Sequence, residues 1–173
     1  MVKFNEMKFY GQKQKKLYEE FISQHIPNNI EIYVEPFAGS FSVACYLIEE
    51  RLKDIDKSPK KLIYNDINNY NLKIYADKVH HLDYKEIFKL YDSEKTFFYL
   101  DPPYFKKEFL YSGCENYSRQ FHIELYDEIK KLKGKFTLSY EDCTFIRDLY
   151  KDFTIYKYDG KNRIFKNELI ITK

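Results

Sequence analysis

The stretch Thr96-Phe97-Phe98-Tyr99-Leu100 is an unbroken apolar and aromatic run that stops at Asp101 and is followed by Pro102, Pro103 and Tyr104. A short apolar run closed by turn-forming residues predicts a strand buried on both faces. Similar short runs predict strands over residues 31–35, 61–65, 79–82 and 136–139, and two more over 153–158 and 168–172 around Asp159-Gly160. Between them the apolar spacing is helical. It predicts helices over residues 12–24, closed by Pro27 and Asn28-Asn29, and over 41–52, with Ser40 as N-cap. Others follow over 68–77, 85–91, 121–132, ended by Gly134, and 143–150. Alternating strands and helices predict an α/β sheet. Residues 105–120 keep no sustained period, mix aromatics with charge, and read as a long loop beside the end of a buried strand.

At 173 residues, 44% of them hydrophobic and 32% charged, the chain is expected to be one soluble domain, residues 1–173. No apolar run approaches a membrane span and the first residues do not begin a signal peptide, so the expected location is cytoplasmic, without membrane association. Cys45, Cys114 and Cys143 are widely spaced and odd in number; they predict reduced thiols and no metal site. His80-His81 read as surface histidines. The net charge of +2 marks no global field for nucleic acid, so local basic clusters at 13–16, 106–107, 130–135 and 157–166 matter more, although such clusters are commonly solvated faces.

The chemistry lies at predicted strand ends. Two prolines past Leu100 remove two amide donors and hold the Asp101 carboxylate and the Pro102 carbonyl as outward-facing acceptors, with the Tyr104 ring beside them. Fixed acceptors next to a stacking face suit a flipped-out base bearing an exocyclic amine; a plain strand-ending turn has the same composition. Glu35 closes the first strand ahead of the small-residue turn Pro36-Phe37-Ala38-Gly39-Ser40. Asp66 closes the second, at a spacing that suits ribose hydroxyls as well as an N-cap. With Asp83, four acceptors fall at successive strand ends, where open α/β sheets bind ligands. No glycine-rich lysine loop for phosphates is present. The carboxylates favour a cofactor with a ribose, an amine and a positive centre, which describes S-adenosylmethionine.

In this order the segments resemble the Dam-like N6-adenine DNA methyltransferases, the class whose cofactor motif precedes its catalytic Asp-Pro-Pro-Tyr. Tyr10-Gly11-Gln12-Lys13 is similar to the amino-terminal element and Glu35-Pro36-Phe37-Ala38-Gly39 to the cofactor motif. Asn65-Asp66-Ile67-Asn68 is similar to the ribose segment and Leu82-Asp83-Tyr84 to the adenine-binding pair. Asp101-Pro102-Pro103-Tyr104 looks like the catalytic motif, and Ser139-Tyr140-Glu141-Asp142 and residues 168–172 like later segments. The resemblance implies a Rossmann-like methyltransferase fold, its sheet mostly parallel with an antiparallel C-terminal strand and helices on both faces. It implies S-adenosylmethionine held by Tyr10 and Lys13; by Glu35, Pro36, Phe37, Ala38, Gly39, Ser40 and Phe41; and by Asp66, Ile67, Asp83 and Tyr84. Asp101, Pro102, Pro103 and Tyr104 would carry catalysis on adenine N6 in DNA.

Two departures shape the expectation. Phe41 stands where the family commonly has a glycine, and either points into the core or crowds the methionine end of the cofactor. The target-recognition domain commonly inserted before the adenine-binding pair has only residues 69–82 in its place. Recognition is therefore assigned to Lys106, Lys107, Tyr111, Tyr117 and Arg119 of the loop and to Lys161 and Arg163, or to a protein partner, with low specificity. RNA or cytosine N4 as acceptor, or a binding protein of the same fold with weak catalysis, are the alternatives.

Overall fold

The computed structural model describes residues 13–51, 58–68, 76–111, 114, 117–161 and 166–173. Strands β1 (Ile32–Glu35), β2 (Lys61–Asn65), β3 (Lys78–His80), β4 (Thr96–Leu100), β5 (Lys135–Glu141), β6 (Thr154–Lys157) and β7 (Glu168–Thr172) form one sheet in the order β3-β2-β1-β4-β5-β7-β6. The pairs from β3 to β5 are parallel, and β7 runs antiparallel to both of its neighbours. The chain leaves β1 toward one side of the sheet and returns through β4 on the other. That reversal opens a crevice at the strands' carboxyl ends.

Strand period explains how one sheet serves two cores. Tyr33, Tyr64, Phe97 and Tyr99 face a cluster with Leu17, Phe21, Val43 and Leu47, whereas Val34, Ile63, Phe98 and Leu100 face one with Ile87, Leu125, Ile129 and Ile146. The first cluster is covered by α1 (Lys15–Leu17), which continues as a π turn at Tyr18–Ile22 and a 3₁₀ turn at Ser23–His25, and by α2 (Ser42–Arg51). The second is covered by α3 (Tyr84–Tyr91), α4 (Arg119–Ile129) and α5 (Thr144–Leu149). Helices thus lie on both faces, as the alternation of strand and helix predicts.

Element boundaries shift where capping decides them. Asp83 accepts from the Lys85 amide and starts α3 at Tyr84, and Ser118 accepts from the Gln120 amide and starts α4 inside the expected loop. That loop also holds a 3₁₀ turn at Glu108–Leu110. The helix expected over 68–77 falls largely outside the described residues, as does Leu52. Of the two expected surface histidines, His81 is exposed and His80 is half-buried, its Nε2 2.7 Å from the Tyr91 hydroxyl.

Asn65 binds the sheet edge together. Its side-chain amide donates to the Pro36 carbonyl at 2.9 Å and the Leu82 carbonyl at 3.0 Å, and its oxygen accepts from the Leu82 amide at 2.9 Å. The loops after β1 and β3 are fixed through this one buried residue. Asn65→Ala would leave three backbone groups unpaired and is expected to cost about 2–4 kcal/mol, read from urea unfolding followed by circular dichroism.

Candidate active site

The cleft at the carboxyl edge encloses about 890 Å3 counting its open mouth. Phe37, Ala38, Gly39 and Ser40 line it from the turn after β1, Asp66 and Ile67 from β2, Asp83 and Tyr84 from the start of α3, and Asp101 and Pro103 from the end of β4. The turn after β1 needs its glycine, since Gly39 has φ +50°. The Gly39 amide donates to Asp66 Oδ2 at 2.9 Å and the Asn68 amide to Asp66 Oδ1 at 3.0 Å. The carboxylate is thereby held in place with a lone pair remaining on each oxygen. Asp83 caps α3 and lines the cleft at once. Phe37 packs on Tyr84, ring centroids 5.3 Å apart, and gives the cleft a flat apolar wall.

Phe41 has φ +58° and turns its ring into the core, edge-on to Tyr64 at 5.5 Å. It is not among the residues lining the cleft, and this corrects its placement with the cofactor segment. A bulky residue at that φ is strained, and burial of the ring against Tyr64 holds it there.

Asp101 lies where β4, buried along its whole length, gives way to the two prolines. Its Oδ1 is 2.7 Å from Lys13 Nζ, which also donates to the Tyr104 hydroxyl at 2.7 Å. Tyr104 donates in turn to Glu168 Oε1 at 2.9 Å, and Glu168 Oε1 lies 3.5 Å from Nζ. Lys13, placed by analogy near a cofactor, lines the cleft and at the same time holds the acceptor, and its Nζ lies 4.9 Å from the centre of the Tyr104 ring. Burial opposes the charged lysine, but Asp101 and Glu168 outweigh it and hold its pKa above the ordinary value. Burial also raises Asp101 and Glu168, with Lys13 opposing in each case. Pro102 is buried, and of the two prolines it is Pro103 that lines the cleft.

Glu168 was not among the residues singled out from sequence. An acid opening an otherwise apolar strand, the mirror image of Asp101 closing one, is the signal that marks it. Because β7 is antiparallel and pairs Glu168 with Glu141, its first residue arrives at the edge where β4 ends. Tyr104 also packs on Tyr140, at 5.9 Å. Tyr140 is tied to the fully buried His122, whose Nδ1 is 2.7 Å from its hydroxyl, while His122 Nε2 is 2.8 Å from Glu108 Oε1. This chain of contacts fixes the segment following Tyr104 from beneath.

The expected nucleic-acid residues divide. Tyr111 and Tyr117 line the cleft, Tyr117 stacked on Phe121 at 4.1 Å. Lys107 pairs with Glu141 at 2.6 Å, and Arg119 lies over the Phe145 ring at 4.5 Å. Lys106 and Lys161 are exposed. Tyr10 and Arg163 lie outside the described residues. Among the described residues no group of three His, Cys, Asp or Glu side chains is placed to hold a metal, and no helix is long and apolar enough to cross a membrane.

Glu35, expected to meet a positive centre, lines the cleft while its carboxyl is anchored from within. Its Oε1 accepts from the Tyr33 hydroxyl and the Ala44 amide, each at 2.8 Å, and burial pushes its pKa up to about 8. The folded state therefore takes up a proton that the unfolded chain releases near the ordinary glutamate value. Stability present below that value is lost as the pH rises through 8. Glu35→Gln keeps the acceptor oxygen without the ionisation. It is expected to melt with the parent at pH 5 and at least about 3 °C higher at pH 9, read from thermal unfolding across that range.

The sequence matches the profile of the D12 class N6 adenine-specific DNA methyltransferase family over residues 9–82 and 70–164. A comparison with curated proteins gave no match. Among solved structures, the chain is similar to precorrin-6y C5,15-methyltransferase from Geobacter metallireducens, at 13% identity and TM-score 0.56, covering 94% of this chain and 88% of that one. It is also similar to SMU.1697c from Streptococcus mutans in complex with SAH, at 13% identity and TM-score 0.52, covering 93% and 97%. An rRNA methylase from Streptococcus thermophilus is similar at 12% identity and TM-score 0.52, covering 92% and 95%. At these identities the likeness is one of fold, the Rossmann-like methyltransferase fold with its antiparallel strand near the carboxyl terminus. The family profile spans most of the chain, and this methyltransferase belongs to the D12 class N6 adenine-specific DNA methyltransferase family.

Proposed function

We propose that the chain transfers a methyl group from S-adenosylmethionine to the N6 amine of adenine in DNA. The observation that carries this reading is the placement of Asp101, at the end of β4, in one cleft with the turn after β1, Asp66 and Asp83. The donor set suits the cofactor: Asp66 keeps lone pairs for ribose hydroxyls, Asp83 for an amine, and the Phe37 and Tyr84 rings for a purine face. Bound there, S-adenosylmethionine would supply an electrophilic methyl on a sulfonium.

The protein's task is to make a poor nucleophile competent. The N6 lone pair of adenine is delocalised into the ring. Asp101 and the Pro102 carbonyl would accept hydrogen bonds from its two N–H groups, draw the nitrogen toward tetrahedral geometry and aim its lone pair at the methyl. Forming the N–C bond would break the methyl–sulfur bond, release S-adenosylhomocysteine, and leave one proton of the nitrogen to pass by way of Asp101 to solvent. The step is one of orientation and electrostatics. Pro103 holds the acceptors still, and Tyr104 offers the ring on which an extruded base stacks.

Residues 1–173 act as one catalytic domain in this reading, with only residues 69–82 between the ribose and adenine segments. DNA contacts then fall to residues 105–120 and 157–166, where Lys106 and Lys161 are exposed, or to a protein partner. Such contacts read mainly phosphates, so sequence selectivity is low and affinity falls steeply with salt.

The test is tritiated-methyl transfer to DNA, followed by nucleoside digestion, with RNA as a parallel acceptor. Asp101→Ala is expected to lose transfer by at least about a hundredfold while calorimetry shows retained cofactor. Label on N6-methyladenine from DNA supports the reading. Label confined to RNA or to N4-methylcytosine, or undiminished transfer by Asp101→Ala, overturns it.

A further inference from the structure

The acceptor that the proposed reaction asks of the catalytic motif is already occupied. Lys13 Nζ sits 2.7 Å from Asp101 Oδ1 and 4.9 Å from the centre of the Tyr104 ring. A substrate amine reaching Asp101 must displace it. Lys13 is almost completely buried, and a buried ammonium stripped of its carboxylate is costly. Displacement therefore needs a second anion close at hand.

Glu168 meets that need. Its Oε1 lies 3.5 Å from Nζ and already accepts from the Tyr104 hydroxyl, so a small side-chain movement carries Lys13 from Asp101 to Glu168 without exposing it. Neighbouring carboxylates of the same edge are committed elsewhere. Glu35 Oε1 is held by Tyr33 and Ala44, Glu141 is paired with Lys107, and Asp142 with Arg147 and Lys157. We propose that Glu168 is a positioning residue that receives the Lys13 ammonium when the substrate amine claims Asp101, clearing the acceptor oxygen. This rests on the reading of Asp101 as the amine's acceptor. In the resting site Lys13 spans both carboxylates; in the loaded site it leans on Glu168 and the substrate leans on Asp101.

The role separates from a structural one because it acts through Lys13. Four full-length proteins form the test: the parent, Glu168→Gln, Lys13→Met and the double variant, each assayed for steady-state methyl transfer to adenine-containing DNA. With Glu168 neutralised, Lys13 stays on Asp101 and competes with the incoming base. Glu168→Gln is then expected to raise KM for DNA by about tenfold with at most about a twofold change in kcat. In the Lys13→Met background the same substitution is expected to change KM by less than about twofold, a non-additivity that marks coupling through the lysine. Glu168→Asp, which keeps the charge and loses the shape, should recover more activity than Glu168→Gln, which keeps the shape and loses the charge.

Equal losses from Glu168→Gln in both backgrounds, or no loss in either, overturn the proposal. Should Lys13→Met transfer too slowly to measure, the ranking of the two Glu168 variants decides, and Gln above Asp overturns it. A parent protein that methylates no DNA removes the underlying reading and this one with it. A parent that methylates DNA but shows no coupling removes only the role of Glu168.

Discussion

A lysine ammonium with almost no access to water holds the catalytic edge together. Lys13 is compensated by Asp101 at one end of its reach and by Glu168 at the other, with the Tyr104 hydroxyl between them. Such pairs add little net stability, because desolvation offsets much of the attraction, but they penalise any arrangement that leaves one partner alone. The apolar residues Leu17, Tyr18, Phe21 and Ile22 anchor the segment behind Lys13 on the sheet, so the position of the charge follows from the packing of that segment. Parallel β4 ends, and antiparallel β7 begins, at the same edge. Sheet topology thus delivers two carboxylates to one cation.

The tyrosine-rich composition takes its meaning from the same arrangement. Buried tyrosines fill volume while several of their hydroxyls find partners, Tyr18 with Glu50, Tyr33 with Glu35, Tyr99 with Ser139 and Tyr140 with His122, although those of Tyr84 and Tyr150 find none among the described residues. Rings pack the core and hydroxyls stitch polar groups into it. Those pairings lie on both faces of the sheet. High tyrosine content here is first a packing solution, and the chain of Glu108, His122, Tyr140 and Tyr104 shows it extending to the site.

Much of this was legible in the sequence where one local rule acts alone. β4 and β2 have the boundaries that their apolar runs predict, and Asp101 stands out because two prolines follow a fully buried strand. Asp66 and Asp83 were visible as acids at strand ends, and both prove to hold backbone amides while lining the cleft. The rest depends on partners far away in sequence. Glu168 joins Tyr104 across 64 residues, and Lys13 joins Asp101 across 88, separations that no periodic pattern encodes. Tyr111 and Tyr117, loop residues expected to meet DNA, line the cleft itself, a position that no local pattern announces. The anchoring of Glu35 depends on Tyr33, two residues earlier in its own strand, whose hydroxyl donates to the carboxyl.

The place of β7 bears on the order of assembly. It follows every other described strand in sequence, yet it is inserted between β5 and β6, and its first residue completes the charge balance around Lys13. While the chain is being synthesised, the sheet from β3 to β5 has its sequence in hand well before β7 does. Until β7 pairs with β5, the edge of β5 lacks its neighbour and Glu168 is not beside Lys13. The site reaches its final electrostatic form only when the strand encoded late has threaded into the sheet, so maturation of the catalytic edge and closure of the fold are the same event.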